Sequence, residues 1–159
     1  MKRIICAVCA LVMALSLCAC GEKTKKIDMY ELQKSMVSAD KSLPEMKISG
    51  SWDENAEKAF SYISDMEYNK IHGFFLAYAA DGMAYELAVV QLKDRSDAGA
   101  MEDSLNEHVQ TRVRMYKTYE PEQVQRAENA VVKTVGDCVL LIMSDSPENA
   151  ETAFKEFTK

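Results

Sequence analysis

Glu86 stands inside "MAYELAVV", a run otherwise apolar enough for burial, and Lys133 interrupts "AVVKTV" in the same way. A carboxylate in a buried strand either faces solvent or has a partner, because an unpaired buried charge is costly. The pattern therefore predicts solvent-facing charges or a Glu86–Lys133 pair across a sheet. With Phe74, Tyr78 and Tyr85 the two residues outline a candidate binding face for a peptide or glycan partner. The alternative is that helices cover those aromatics as core. Hydrolysis by carboxylates would need two acids with separated pKa values, and no such pair is visible in the sequence.

The other reactive residues give less. His72 and His108 are the only histidines. A zinc site needs three or four converging ligands, yet Arg112 stands four residues after His108, and Glu107 is merely adjacent. No metal site and no cofactor is expected. His72 reads as a strand-surface residue, and His108 borders the apolar face of a long helix. Cys138 would be a nucleophile only if a histidine met it in space; beside Val139 and Leu140 it reads as a buried, inert thiol. The eight methionines from Met29 to Met143 are scattered and read as core filling rather than copper ligands. The sequence lacks the glycine-rich phosphate loop, the dinucleotide fingerprint, the serine elbow and the paired-histidine zinc motif.

Four of the five cysteines lie in the first twenty residues: Cys6, Cys9, Cys18 and Cys20. Lys2 and Arg3 precede an apolar core, Ile4 to Leu17, whose only clearly polar residue is Ser16. Such a core is too short for a bilayer span of about 20 residues and has the length of an export signal. It ends in Leu17-Cys18-Ala19-Cys20. These four positions resemble the lipobox of bacterial lipoproteins, although Cys18 stands where alanine or serine is usual. The resemblance implies cleavage between Ala19 and Cys20 and a diacylglyceryl thioether on Cys20. The membrane lipid is then a partner, and the protein is extracytoplasmic, anchored to the outer face of the cell membrane. The alternative is a plain secretory signal cut near Ala19, leaving Cys20 a free thiol. The expected organisation is a signal peptide over 1–19, a lipidated cysteine and polar tether over 20–27, and one domain over 28–159. With Cys20 lipidated, no intramolecular disulfide remains for that domain.

The part from Cys20 onward carries all 25 acids and 17 of the 19 bases, a formal charge of −8. With no basic stripe interleaved with aromatics, nucleic acid is not an expected partner. Lys23, Lys25 and Lys26 follow the lipid site, and each would add on the order of 1 kcal/mol of attraction to anionic headgroups.

The elements that must position these residues follow from local pattern. Asp28 and Glu31 have capping-box spacing ahead of Met29, Leu32 and Met36 on one helix face. Met46 to Trp52 alternates weakly and fits an edge strand or an extended crossing. Asp53 to Ile63 has helical periodicity. Two apolar runs, 71–79 and 84–92, flank Asp81-Gly82, which suits a two-residue type I′ hairpin turn. A long helix follows, capped near Asp94 or Ser96, with Met101, Leu105, Val109, Val113 and Tyr116 on one face. Pro121 ends it, and 122–127 reads as a short helical turn. A second hairpin, 130–135 with 138–143, turns at Gly136-Asp137 in the type II′ pattern. A final helix after Ser144-Asp145-Ser146-Pro147 presents Ala150, Ala153, Phe154 and Phe157. The expected fold class is α+β: a four-stranded antiparallel sheet of two hairpins (ββα–ββα), helices on one face, and N-terminal helices before it.

The stretches "AYELAVVQLKD", "RMYKTYEPEQ", "ENAVVKTVGDCVLLIMSD" and "AFKEF" resemble small lipoproteins of Gram-positive bacteria, catalogued as a domain of unknown function, DUF4358. The resemblance implies lipid anchoring and a domain of this length, and it brings no activity and no site residues. The sequence favours a non-enzymatic binding or interaction module. An envelope hydrolase using carboxylates and a structural subunit of a membrane complex are the alternatives.

Overall fold

Asp28 accepts hydrogen bonds from the amides of Tyr30 and Glu31, and so starts the first helix where the sequence places its cap. The computed structural model describes residues 26–159; the signal-cleavage and lipid sites, Ala19 and Cys20, lie outside the described residues. Five α-helices are present among them: α1 (Met29–Ala39), α2 (Ala56–Phe60), α3 (Ala98–Tyr119), α4 (Val124–Glu128) and α5 (Pro147–Phe157). The strands are β1 (Met46–Gly50), β2 (Ile71–Ala79), β3 (Glu86–Leu92), β4 (Val131–Val135) and β5 (Cys138–Met143).

The class is α+β as expected, but the sheet has five strands, in the order β1-β2-β3-β5-β4 with every neighbour antiparallel. The fifth is "MKISG", which pairs from Met46↔Ala79 to Gly50↔Phe75. It is held mainly by its backbone ladder, and Gly50 alone in it is buried. A strand stabilised that way leaves little periodicity to read.

The second correction concerns layers: helices cover both faces, not one. On one side Phe74, Leu76, Ala88, Val90, Val139 and Leu141 pack against α2, α3 and α4. On the other, Phe75, Ala77, Leu87, Val89, Leu140 and Ile142 pack against α1 and α5. Every residue of β3 and of β5 is buried. Strands buried on both faces read as continuous apolar runs instead of alternating ones, which is what "LAVV" and "CVLLIM" are.

The hairpins are where the sequence puts them, with one change of turn. Val135 pairs with Cys138 across Gly136-Asp137, and Gly136 has φ +66°, as the first position of a type II′ turn requires. Between β2 and β3 the connection is six residues, 80–85, rather than two. Gly82 has φ +87° but Asp81 does not have positive φ, so no type I′ turn forms. The Asp81 carboxylate instead accepts from the Met83 amide in a local side-chain turn. α2 is shorter than its periodic stretch, and Phe157 points outward from α5 rather than joining its apolar face.

Candidate functional site

Glu86 opens β3, and its side chain faces α3, on the same side as Ala88 and Val90. α3 is seated by Leu105, Val109, Val113 and Tyr116, which leaves His108 and Arg112 one step around the helix. Four residues apart, they project from one flank and reach Glu86. The Glu86 side chain is only 4 % exposed, with His108 Nε2 2.7 Å from Oε1. The two atoms share one hydrogen bond, whose donor is set by the histidine tautomer. Arg112 Nε lies 3.6 Å from Oε2, close enough for attraction between charges and too far for a hydrogen bond. That N–H is buried without a protein partner.

The rest of the arginine is held firmly. Its guanidinium stacks 4.9 Å from the centre of the Tyr116 ring and donates to the Tyr116 hydroxyl. That hydroxyl in turn donates to the Gly82 carbonyl at 3.0 Å, and its burial pushes its pKa above the usual phenol range. The chain of contacts ties the 80–85 loop to α3. Tyr78, the register partner of Glu86, stands beside it on the same face. Tyr62, Tyr78 and Met115 rim a cleft of about 510 Å³ whose polar floor is Glu86, His108 and Arg112. Tyr62 is 67 % exposed and Tyr78 37 %. This is an apolar, aromatic concavity with a few convergent polar groups, the usual make-up of a ligand site.

The five residues expected to share an open aromatic face do not do so. Phe74 is wholly buried, its ring 5.3 Å from that of Phe60. Tyr85 is buried at the α4 end, where its hydroxyl donates to Asp145 (2.7 Å) and the Arg126 guanidinium lies 3.9 Å over its ring. Arg126 also bonds Asp145 at 2.7 Å, and these two contacts hold the Asp145 carboxyl below the usual carboxylate range. Nor does Lys133 meet Glu86. β5 lies between their strands, and Lys133 bonds Glu151 of α5 at 2.7 Å on the opposite side of the sheet. Glu151 is also paired with Lys155, and the two lysines hold its carboxyl low. Only Tyr78 and Glu86 of the five belong to the cleft.

His108, Arg112 and Tyr62 were not singled out as site residues by sequence reasoning. The available signal was a histidine and an arginine at i and i+4 on the border of an apolar stripe. Cys138 is buried, and burial pushes its thiol pKa far up, as an inert thiol requires. No cluster of three or more metal-ligating side chains exists among the described residues.

The family model described as a domain of unknown function (DUF4358) matches residues 49–144, more than half of the chain. The chain belongs to that family. The family match runs from β1 to the end of β5 and contains every residue of the cleft, whereas α1, α5 and Cys20 fall outside it. No curated protein and no solved structure matches the chain. Among the described residues no helix is long and apolar enough to cross a membrane.

Proposed function

We propose that this protein is an extracytoplasmic lipoprotein, anchored through Cys20, whose domain binds a peptide or glycan in the cleft between α3 and the start of β3. The observation that carries the reading is the Glu86–His108–Arg112 cluster at the floor of a cleft rimmed by exposed Tyr62, Tyr78 and Met115. A buried charge cluster is weak support for stability, since apolar side chains of similar volume often serve as well. Placed in a cleft, it suits recognition. The tyrosines supply stacking surface with a polar tip, and His108 and Arg112 supply directional hydrogen bonds above a carboxylate that holds them in place.

The test is an NMR titration with soluble cell-wall muropeptides and, separately, with a pool of short peptides. Shifts should concentrate at Tyr62, Tyr78, His108 and Arg112. Tyr62→Ala with Tyr78→Ala should weaken binding at least about tenfold, the equivalent of 1.4 kcal/mol, at unchanged melting temperature. Shifts centred elsewhere would sink the proposal.

The Glu86–His108 contact also supports a second reading. A carboxylate orienting a histidine is the base-and-orienter half of a hydrolytic site. Turnover of a bound ligand that His108→Gln abolishes, with binding retained, would favour it. Hydrolysis by two carboxylates gains no such support, because among the described residues Glu86 is the only acid lining the cleft.

A further inference from the structure

β2 begins, β3 ends and the Gly136-Asp137 turn lies at the end of the sheet away from the cleft. The described chain starts at this same end. The Ile27 amide donates to Gln91 Oε1 at 2.9 Å. Lys26, Ile27 and Asp28 line two adjoining hollows, one shared with Tyr30 and Trp52, the other with Phe157 and Lys159.

Three aromatic side chains here are partly exposed: Tyr30 47 %, with the Lys34 ammonium 4.2 Å over its ring, Trp52 40 % and Phe157 39 %. Their positions are built. Tyr30 and Trp52 meet edge to face with ring centres 5.1 Å apart. The Trp52 ring lies over Gly50, where an added Cβ would come within 2.4 Å of it. The ring is therefore seated on the backbone of the edge strand, with its outer side open.

Single exposed aromatics are ordinary. Here three of them surround the point where the tether leaves, and Trp and Tyr are the residues that favour the headgroup level of a bilayer. Three acids at this end are engaged in hydrogen bonds, while Glu54 and Glu156 stand exposed beside Trp52 and Phe157. Asp28 caps α1, Asp53 accepts from the Gly50 amide at 2.8 Å, and Asp137 accepts from Gln91 at 2.8 Å.

Reach points the same way. The six residue steps from Cys20 to Lys26 span at most roughly 21 Å. Along β2 the cleft residue Tyr78 is seven steps from Ile71, roughly 23 Å. A lipid on Cys20 would keep this end within that reach of the bilayer.

We infer that this end of the domain is a lipid-contacting face, with Trp52, Tyr30 and Phe157 seated among the headgroups and the Glu86 cleft directed away from the membrane. The inference rests on the reading that Cys20 carries the lipid. Trp52 is the only tryptophan of the chain, so its fluorescence reports on this face alone. The processed full-length protein is reconstituted into phosphatidylcholine–phosphatidylglycerol vesicles, with and without acyl chains brominated close to the headgroup. Vesicle flotation is measured in parallel. The expected result is flotation with the vesicles, Trp52 emission quenched severalfold by brominated over plain lipid, and weak quenching by aqueous iodide. Tyr30→Ser with Phe157→Ser should still float and should lose most of the bromine quenching. Flotation with Trp52 insensitive to bromine and open to iodide overturns the lipid-contacting face and leaves the anchor standing. Failure to float overturns both.

Discussion

Glu86 is the least exposed member of its cluster, at 4 %, whereas His108 and Arg112 side chains are 15 % and 22 % exposed. The two sides of the interaction should therefore respond unequally to truncation. His108→Ala leaves a buried carboxylate with only a 3.6 Å contact to Arg112. Removing one partner of a buried pair costs about 3–5 kcal/mol. Two effects reduce that here: alanine is the better helix former by about 0.5 kcal/mol, and the vacated space opens onto the cleft, so water reaches Glu86. The expected loss is about 2–3 kcal/mol. Glu86→Leu instead leaves two bases at the cleft wall, one able to be neutral and the other within reach of water, and should cost about 1 kcal/mol. Glu86→Leu with His108→Ala should stay within about 1 kcal/mol of Glu86→Leu alone, because the buried carboxylate that the histidine served is gone. Urea unfolding followed by far-ultraviolet circular dichroism measures all three, with an unchanged slope confirming that the change is in stability. If Glu86→Leu proves costlier than His108→Ala, or if the double variant loses the sum of the single ones, the cluster is a stabilising element and its assignment to ligand recognition fails.

Four other outcomes are expected. Gly136 has φ +66° with open space where a Cβ would stand, so Gly136→Val should lose roughly 1–3 kcal/mol through backbone strain alone; Gly99 is helical with open space, and Gly99→Ala should be neutral or gain up to about 1 kcal/mol, both read from denaturant midpoints. The Asp145 carboxyl is held low by Arg126 and Tyr85, so its contribution is present above the unfolded value of about 3.9 and is lost as pH falls through the lower folded value. The stability–pH curve of Asp145→Asn should be flatter on the acid side, modestly because this side chain is half exposed. Since Cys138 is the one free thiol among the described residues and is buried, the melting temperature of the monomer should not change with reductant, and a large drop in differential scanning calorimetry would contradict the cysteine assignment.

Much of this molecule is local and was legible as such. The Asp28 cap, the strand limits at 71–79 and 138–143, the positive φ of both turn glycines and the buried stripe of α3 all depend on residues within a few positions of one another. Side-chain periodicity and turn sterics act over that range, so the string of residues carries them. The six-residue connection after β2 was missed because the Asp81 side chain captured the Met83 amide, a competition that the dipeptide Asp-Gly alone does not reveal.

The sequence by itself determined that Glu86 must have a partner or face water, and that β5 is apolar throughout and the centre of β3 nearly so. Which partner it has was decided by tertiary structure. By residue type Lys133 matches Glu86, but the strand order puts β5 between them and pleat parity sends the two side chains to opposite faces. His108 lies 22 residues beyond Glu86 and arrives only because α3 crosses the sheet on that side. The second helical layer and the pairing of β1 were decided in the same way. Each depends on which buried surfaces meet after the chain has closed its long loops, and that choice is made by the packing of whole faces, which no window of neighbouring residues contains.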